Sequence, residues 1–368
     1  MAKLLLLDGN SLTYRAFFAL PTDMATASGQ VTNAVFGFTS MLINLLRDQR
    51  PDGALVAFDL PQPTFRHEAN PEYKAQREAA PDILRQQMGL VRQVVDSLGI
   101  KVLDCPGFEA DDIIASVVTM AVARGDEVVI VTGDRDSYQL VADPLVKVLY
   151  NRRGVSDYAL YDEAGIAEKT GVTPAQYSQY AALRGDPSDN LPGVPGVGEK
   201  TAAKLITTYG GLDGIFEHLD DLTPKLREAL AANEARVRSN AELMVLRHDA
   251  PVEVDLDGLQ WGPTDPVELK RLFDFLEFRS LFDRLNEVLS APLTAPGEAH
   301  GQVLEAEVVR PEGAAEAARL LARPGALDVA GAWAGAPGRS RLVGVAVVLD
   351  PEPAEVLWLP DAWLDEED

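Results

Sequence analysis

Cysteine occurs once in 368 residues, as Cys105, and histidine only four times. A lone thiol cannot close an internal disulfide, which suits a reducing, cytoplasmic setting. Long apolar runs are also missing. The start "MAKLLLLDGN" holds four leucines before Asp8, too short for the apolar region of a signal peptide. Nothing approaches the roughly 18 apolar residues of a membrane span, so no membrane association is expected and the run reads as a buried first strand. Positive charge is in deficit, with 33 Lys and Arg against 57 Asp and Glu and a net charge of −24. That balance argues against a generally basic nucleic-acid binder. The distribution weakens the objection: residues 298–368 alone carry fourteen acids against five arginines.

What is present is a regular alternation. "KLLLLD" (3–8), "GALVAFD" (53–59), "IKVLD" (100–104) and "EVVIVTGD" (127–134) are short apolar runs suited to strands buried on both faces. Between them, 35–49 and 83–99 carry helical spacing, with Phe38, Leu42 and Leu45 on one stripe and Leu84, Met88, Val91 and Val95 on another. The pattern predicts a doubly wound α/β domain over 1–165. A helical region with turn-rich joints follows over 166–290, then a Pro/Gly/Ala linker at 291–301. A third segment, 302–368, ends in the acidic "DEED".

Acids gather at the predicted strand ends. Asp8, Asp59 and the pair Asp134 and Asp136 of "TGDRD" close three strands, where an open parallel sheet places its ligand crevice. Glu109, Asp111 and Asp112 stand at a predicted helix start, and Asp186 and Asp189 lie three apart in "GDPSDN". One strand-end Asp is ordinarily a helix cap or turn residue. Five such features at one sheet edge call for cations among them. Oxygen donors without His or Cys point to two Mg²⁺ or Mn²⁺ ions rather than zinc, an arrangement suited to phosphodiester hydrolysis. Glu109 and Asp189 are the members expected to act through water.

The stretch "GDPSDNLPGVPGVGEKTAAKL" (185–205) resembles a phosphate loop, but Glu199 separates Gly198 from Lys200 and Thr201, and no buried strand precedes it. The P-loop pattern therefore fails. Gly193, Gly196 and Gly198, then a helix start with Lys200 and Lys204, suit close approach to a nucleic-acid backbone phosphate. In "FRHEANPEYKAQREAAP" (65–81), Arg66, Lys74 and Arg77 are basic, with Lys74 and Arg77 on one face if helical; Tyr73 could stack on a base.

These segments, with "LLDGNSLTYRAFFAL", "AFD", "FEADDIIA" and "TGDRDSYQL", closely resemble the 5′-nuclease domain of bacterial DNA polymerase I, of the flap endonuclease family. The resemblance spans residues 1 to about 290. It implies a PIN-like α/β nuclease domain with a helical arch and a helix-three-turn-helix region. It further implies Mg²⁺-dependent 5′-3′ exonuclease and 5′ flap endonuclease activity on flapped or nicked DNA and RNA primers. Asp8, Asp59, Glu109, Asp111 and Asp112 match the family's first metal cluster, and Asp134, Asp136, Asp186 and Asp189 its second. Lys74 and Arg77, with Tyr73 beside them, match the arch residues at the scissile phosphate. Arg15, Arg66, Thr201 and the glycine hairpin fall in the DNA-contacting motifs, with a K⁺ ion implied at the hairpin. A monomer, continuous with a polymerase domain in a longer protein, is expected. The third segment resembles the start of a 3′-5′ exonuclease-like domain, but Ala330 follows Asp328 where D-x-E is required, so no proofreading is expected from it. Two other classes remain: a non-catalytic duplex-DNA-binding module, which such a concentration of mutually repelling acids disfavours, and a PIN-type ribonuclease, which leaves the hairpin unexplained.

Overall fold

A computed structural model describes residues 1–263, 265–289, 307–311, 313–322, 328–333, 341–350 and 355–363. They fall into two compact units, Met1–Leu293 and Thr294–Asp368, each described by itself.

In the first unit the leucine run forms β1 (Lys3–Asp8), and its side chains alternate: Leu4 and Leu6 enter one core, Leu5 and Leu7 another. A strand apolar on both faces must be covered on both, which parallel neighbours with crossover helices achieve. β2 (Gly53–Ala57), β3 (Lys101–Leu103), β4 (Glu127–Thr132), β5 (Val146–Arg153) and β6 (Asp157–Tyr161) complete the sheet in the order β3-β2-β1-β4-β5-β6. β1 to β5 pair in parallel, and β6 runs antiparallel to β5. Helices α1 (Gly9–Ala19) and α2 (Asn33–Gln49) cover the Leu5/Leu7 face; α3 (Phe65–Ala69) is a short helix in the insertion after β2. α4 (Asp82–Ser97) joins α1 and α2, and α5 (Ala110–Arg124) covers the opposite face.

α6 (Glu163–Thr170), α7 (Tyr177–Arg184), α8 (Glu199–Tyr209), α9 (Leu212–Glu217) and α10 (Pro224–Met244) extend the α5-side core. α11 (Pro266–Phe275) and α12 (Arg279–Val288) return to the other, placing Leu269, Phe273, Leu281 and Leu285 with Leu5 and Leu7. The change at 165/166 is thus one of texture, since the residues on both sides share the same cores. Lys74 and Arg77 do not share a helical face: helix stops at Ala69, the chain continues in turns, and Lys74 has a left-handed φ of 55°.

In the second unit β9 (Glu307–Val309), β10 (Val329–Trp333), β11 (Leu342–Asp350) and β12 (Glu355–Pro360) form a sheet ordered β10-β11-β12-β9. With α13 (Ala314–Leu321), it buries Ala317, Val347, Leu349, Leu357 and Leu359. Asp328 lies exposed just before β10, and Ala330 within it. The expected linker at 291–301 and the acidic "DEED" lie outside the described residues.

Candidate metal centre

The acids of the first unit stand where parallel strands end. Asp8 closes β1 opposite Ala57 of β2, Asp59 lies two residues beyond β2, and Asp134 two beyond β4. The capping role usual for a strand-end Asp holds here together with convergence. Asp8 accepts the Ser11 amide at 2.9 Å as N-cap of α1, and its other oxygen accepts Thr132 Oγ1 at 2.9 Å. Asp59 accepts the Ala110 amide at 2.7 Å, at the start of α5. Thr132 Oγ1 in turn accepts the Asp134 amide, and Asp134 Oδ1 that of Asp136, both at 2.9 Å. These bonds fix the acids' directions.

Asp8, Asp59, Glu109, Asp111 and Asp134 line one cavity of about 630 Å³, together with Arg15, Lys74 and Arg77. A second cavity of about 520 Å³ shares Gly133, Asp134 and Ser188 with it and adds Asp186, whose Oδ1 accepts the Ser188 amide at 2.8 Å. Asp136 and Asp189 are buried beside Asp134 and Asp186.

The electrostatics divide this set. Burial, then the charge of Asp59, pushes the Asp8 carboxyl up to about 7. Burial holds Asp111 and Asp136 well above the usual range. Asp111 Oδ1 is buried with no hydrogen-bond partner. These are carboxylates short of compensating positive charge, and their all-oxygen chemistry fits a hard divalent cation. Glu109 is the opposite case. Burial would raise it, but Lys74 Nζ at 2.9 Å and the Arg66 guanidinium at 3.4 Å outweigh burial and hold it below its usual value. Arg77 reaches Asp189 at 2.7 Å, but there burial prevails and the carboxyl stays above its usual value. The chain's own cations thus stand on part of the acid set. Among the described residues, no three His, Cys, Asp or Glu side chains are arranged to hold an ion.

Three expectations are corrected. Arg66 is 2 % exposed and cannot touch DNA: it grips Asp112 through two bonds of 2.6 and 2.8 Å and donates to Leu243 O at 2.8 Å. Asp112 is spent on that pair, its oxygens also accepting the Glu109 and Arg247 amides. It is a support for the α5 start, not an open ligand. Tyr73 is 3 % exposed, so it stacks on no base; its hydroxyl donates toward Glu109 and Asp189, each at 3.0 Å. The motif that named these three residues recorded how tightly they are held, not that they face a ligand.

The glycine hairpin folds between β7 (Gly185–Asp186) and β8 (Leu191–Pro192) and the start of α8. A Cβ on Gly193 would lie 2.4 Å from the Arg184 and Gly185 backbone, whereas Gly196 has a φ of 83° and open space around it. Arg236 and Asn240 of α10 hold the Gly193 and Pro192 carbonyls at 2.9 and 3.0 Å. Lys200 and Lys204 are exposed on α8, with Thr201 half-buried. Arg15 donates to the Asn151 carbonyl at 3.3 Å. Sequence reading missed Tyr14 and Phe18, which line the large cavity and are 38 % and 72 % exposed. The adjacent pair Phe17 and Phe18 was the available sign, since one face of a helix can bury only one of them.

Comparison with known proteins gives a consistent result. Residues 3–171 match the 5′-3′ exonuclease N-terminal resolvase-like domain, and residues 172–267 match the 5′-3′ exonuclease C-terminal SAM fold. DNA polymerase I of Mycobacterium bovis is 52 % identical over 289 residues, covering 78 % of this chain and 32 % of that protein. The thermostable DNA polymerase I of Thermus thermophilus is 39 % identical over 340 residues, covering 90 % and 38 %. The chain therefore spans about a third of the length of these curated relatives. A bacteriophage T5 flap endonuclease, solved with DNA and metal ions, superposes with a TM-score of 0.54 at 21 % identity, covering 78 % of this chain and 97 % of that one.

Proposed function

The chain belongs to the 5′-3′ exonuclease family and is a nuclease, and on that premise we propose that it cuts DNA near 5′ flaps, nicks and RNA primers with two divalent cations, Mg²⁺ or Mn²⁺. The observation that carries this reading is one cavity in which Asp8, Asp59, Asp111 and Asp134, brought from four segments, face Lys74 and Arg77. Asp136 and Asp186 extend the ligand set, while Glu109 and Asp189 act through water. When bound, the cations would supply Lewis acidity at the phosphate and activate the attacking water.

The chain's own groups do the positioning. Ser11 and Thr132 hold Asp8, so its carboxylate cannot turn away. Lys74 and Arg77 leave Glu109 and Asp189 to meet the non-bridging oxygens of the scissile phosphate, where oriented positive charge counts most as negative charge develops. The hydrolysis leaves a 5′-phosphate and a 3′-hydroxyl. Arg15, at the cavity rim, and the Gly193, Gly196, Gly198 hairpin with Lys200, Thr201 and Lys204 grip the duplex backbone, with K⁺ at the hairpin. Residues 1–165 carry the chemistry, joined by Asp186 and Asp189, and 166–290 carry the grip, joined by Arg15. The protein acts as a cytoplasmic monomer, and 302–368 contributes no proofreading.

One assay tests this: labelled 5′-flap DNA, single-stranded RNA and blunt duplex, each with Mg²⁺ or EDTA. Cleavage of the flap in Mg²⁺ alone is expected. Cutting of RNA only would make the protein a ribonuclease, and binding without cutting a scaffold.

A further inference from the structure

We infer that a small cavity between α6, α7 and the turn after β4 is a phosphate-binding subsite that takes a backbone phosphate of the substrate strand, away from the scissile one. Arg135, Lys169, Arg184, Tyr138 and Tyr177 enclose about 60 Å³ there, with Thr170, Tyr180 and Glu199. That exceeds the roughly 10–15 Å³ that one water needs. Tyr138 is 0 % and Tyr177 1 % exposed, and neither hydroxyl has a hydrogen-bond partner. A buried O–H donor without an acceptor is costly. The site therefore lacks an acceptor.

Its charge asks for an anion. Three cations line it against one carboxylate, that of Glu199, which lies 3.4 Å from Arg135 and 3.7 Å from Arg184. Glu199 is largely exposed and free to swing aside. Arg184 also lies 3.7 Å from Asp186. Lys169 and Arg184 rest on the rings of Tyr161 and Tyr180, which holds them in place. Arg135, Arg184 and Glu199 also line the cavity of Asp134 and Asp186, which shares Asp134 with the large one. A strand lying across the carboxylates thus has a path to this pocket. A phosphate, rich in acceptors and negatively charged, meets both needs.

The assignment rests on the nuclease reading, so two readouts separate their failures. The first is anisotropy of labelled 5′-flap DNA in EDTA across salt concentrations. Lys169→Ala should lower the slope of log affinity against log salt by about 0.9, one phosphate contact. Tyr177→Phe should weaken binding at least threefold without lowering the melting temperature, because the lost hydroxyl has no partner within the protein. Wild-type affinity and slope in both variants would overturn the proposal. The second is the thermal shift with inorganic phosphate, which should be larger in wild type than in Tyr177→Phe. Equal shifts would overturn the site, and a difference with unchanged DNA affinity would overturn the backbone phosphate as occupant. If the wild type neither binds nor cuts flap DNA, the nuclease reading fails, and the phosphate shift still reports on the pocket.

Discussion

Asp8 combines two demands. As the α1 N-cap it stabilises the helix, yet burial and Asp59 oppose its charge and push it to about 7, against about 3.9 in an unfolded chain. The folded metal-free protein therefore holds this proton more tightly. Its contribution to stability is present below about pH 4 and is lost as pH rises through 7. Asn caps a helix as well as Asp does and carries no charge. In EDTA, Asp8→Asn should melt higher than wild type by a margin that grows from pH 5 to pH 8, while flap cleavage in Mg²⁺ falls at least 100-fold. A margin that shrinks with pH would contradict this reading. Lys74→Ala should slow the single-turnover step by about 10²–10³ with little change in DNA affinity; equal losses in both would make Lys74 a grip residue. Arg66→Ala leaves the buried Asp112 without its ion-pair partner, at about 3–5 kcal/mol, measurable by denaturant melts.

At the scale of elements, the insertion from α3 to Arg77 lies on the segment 186–190. Lys74 N donates to Asp189 O, Arg77 Nε to Ser188 O, and Asn190 Nδ2 to Glu72 O, at 3.0, 3.0 and 2.7 Å. The hairpin depends on close backbone approach. Gly193→Ala, which drives a methyl into the Arg184 backbone, should cost most of the duplex affinity, whereas Gly89→Ala in α4, outside the hairpin and with open space around it, should bind like wild type. Reversed outcomes in an anisotropy assay would contradict the hairpin geometry. The strands and the long helices were legible because apolar runs and 3.6-residue stripes are local properties. The turns around Lys74 were not. What decides their shape is bonding to residues more than a hundred positions away, and no local period records that. The Arg66–Asp112 pair was hidden for the same reason, since a motif shows that residues recur together but not whether they face each other or a ligand.

At the scale of the molecule, the acids that sequence placed at strand ends do share one sheet edge, because parallel strands bring all their C-terminal ends to the same side. The positive charge set among them was not legible, since net charge says nothing of pairing. The compact unit Met1–Leu293 contains both cavities, so a chain ending at residue 293 should cleave flap DNA at the rate of the whole chain. A tenfold loss in single-turnover assays would give the second unit a part in the reaction. The most direct measurement is anomalous diffraction from crystals soaked in Mn²⁺. Peaks in the cavity of Asp8, Asp59, Asp111 and Asp134 are expected, and no peak there, with ordered side chains in saturating metal, would contradict the account.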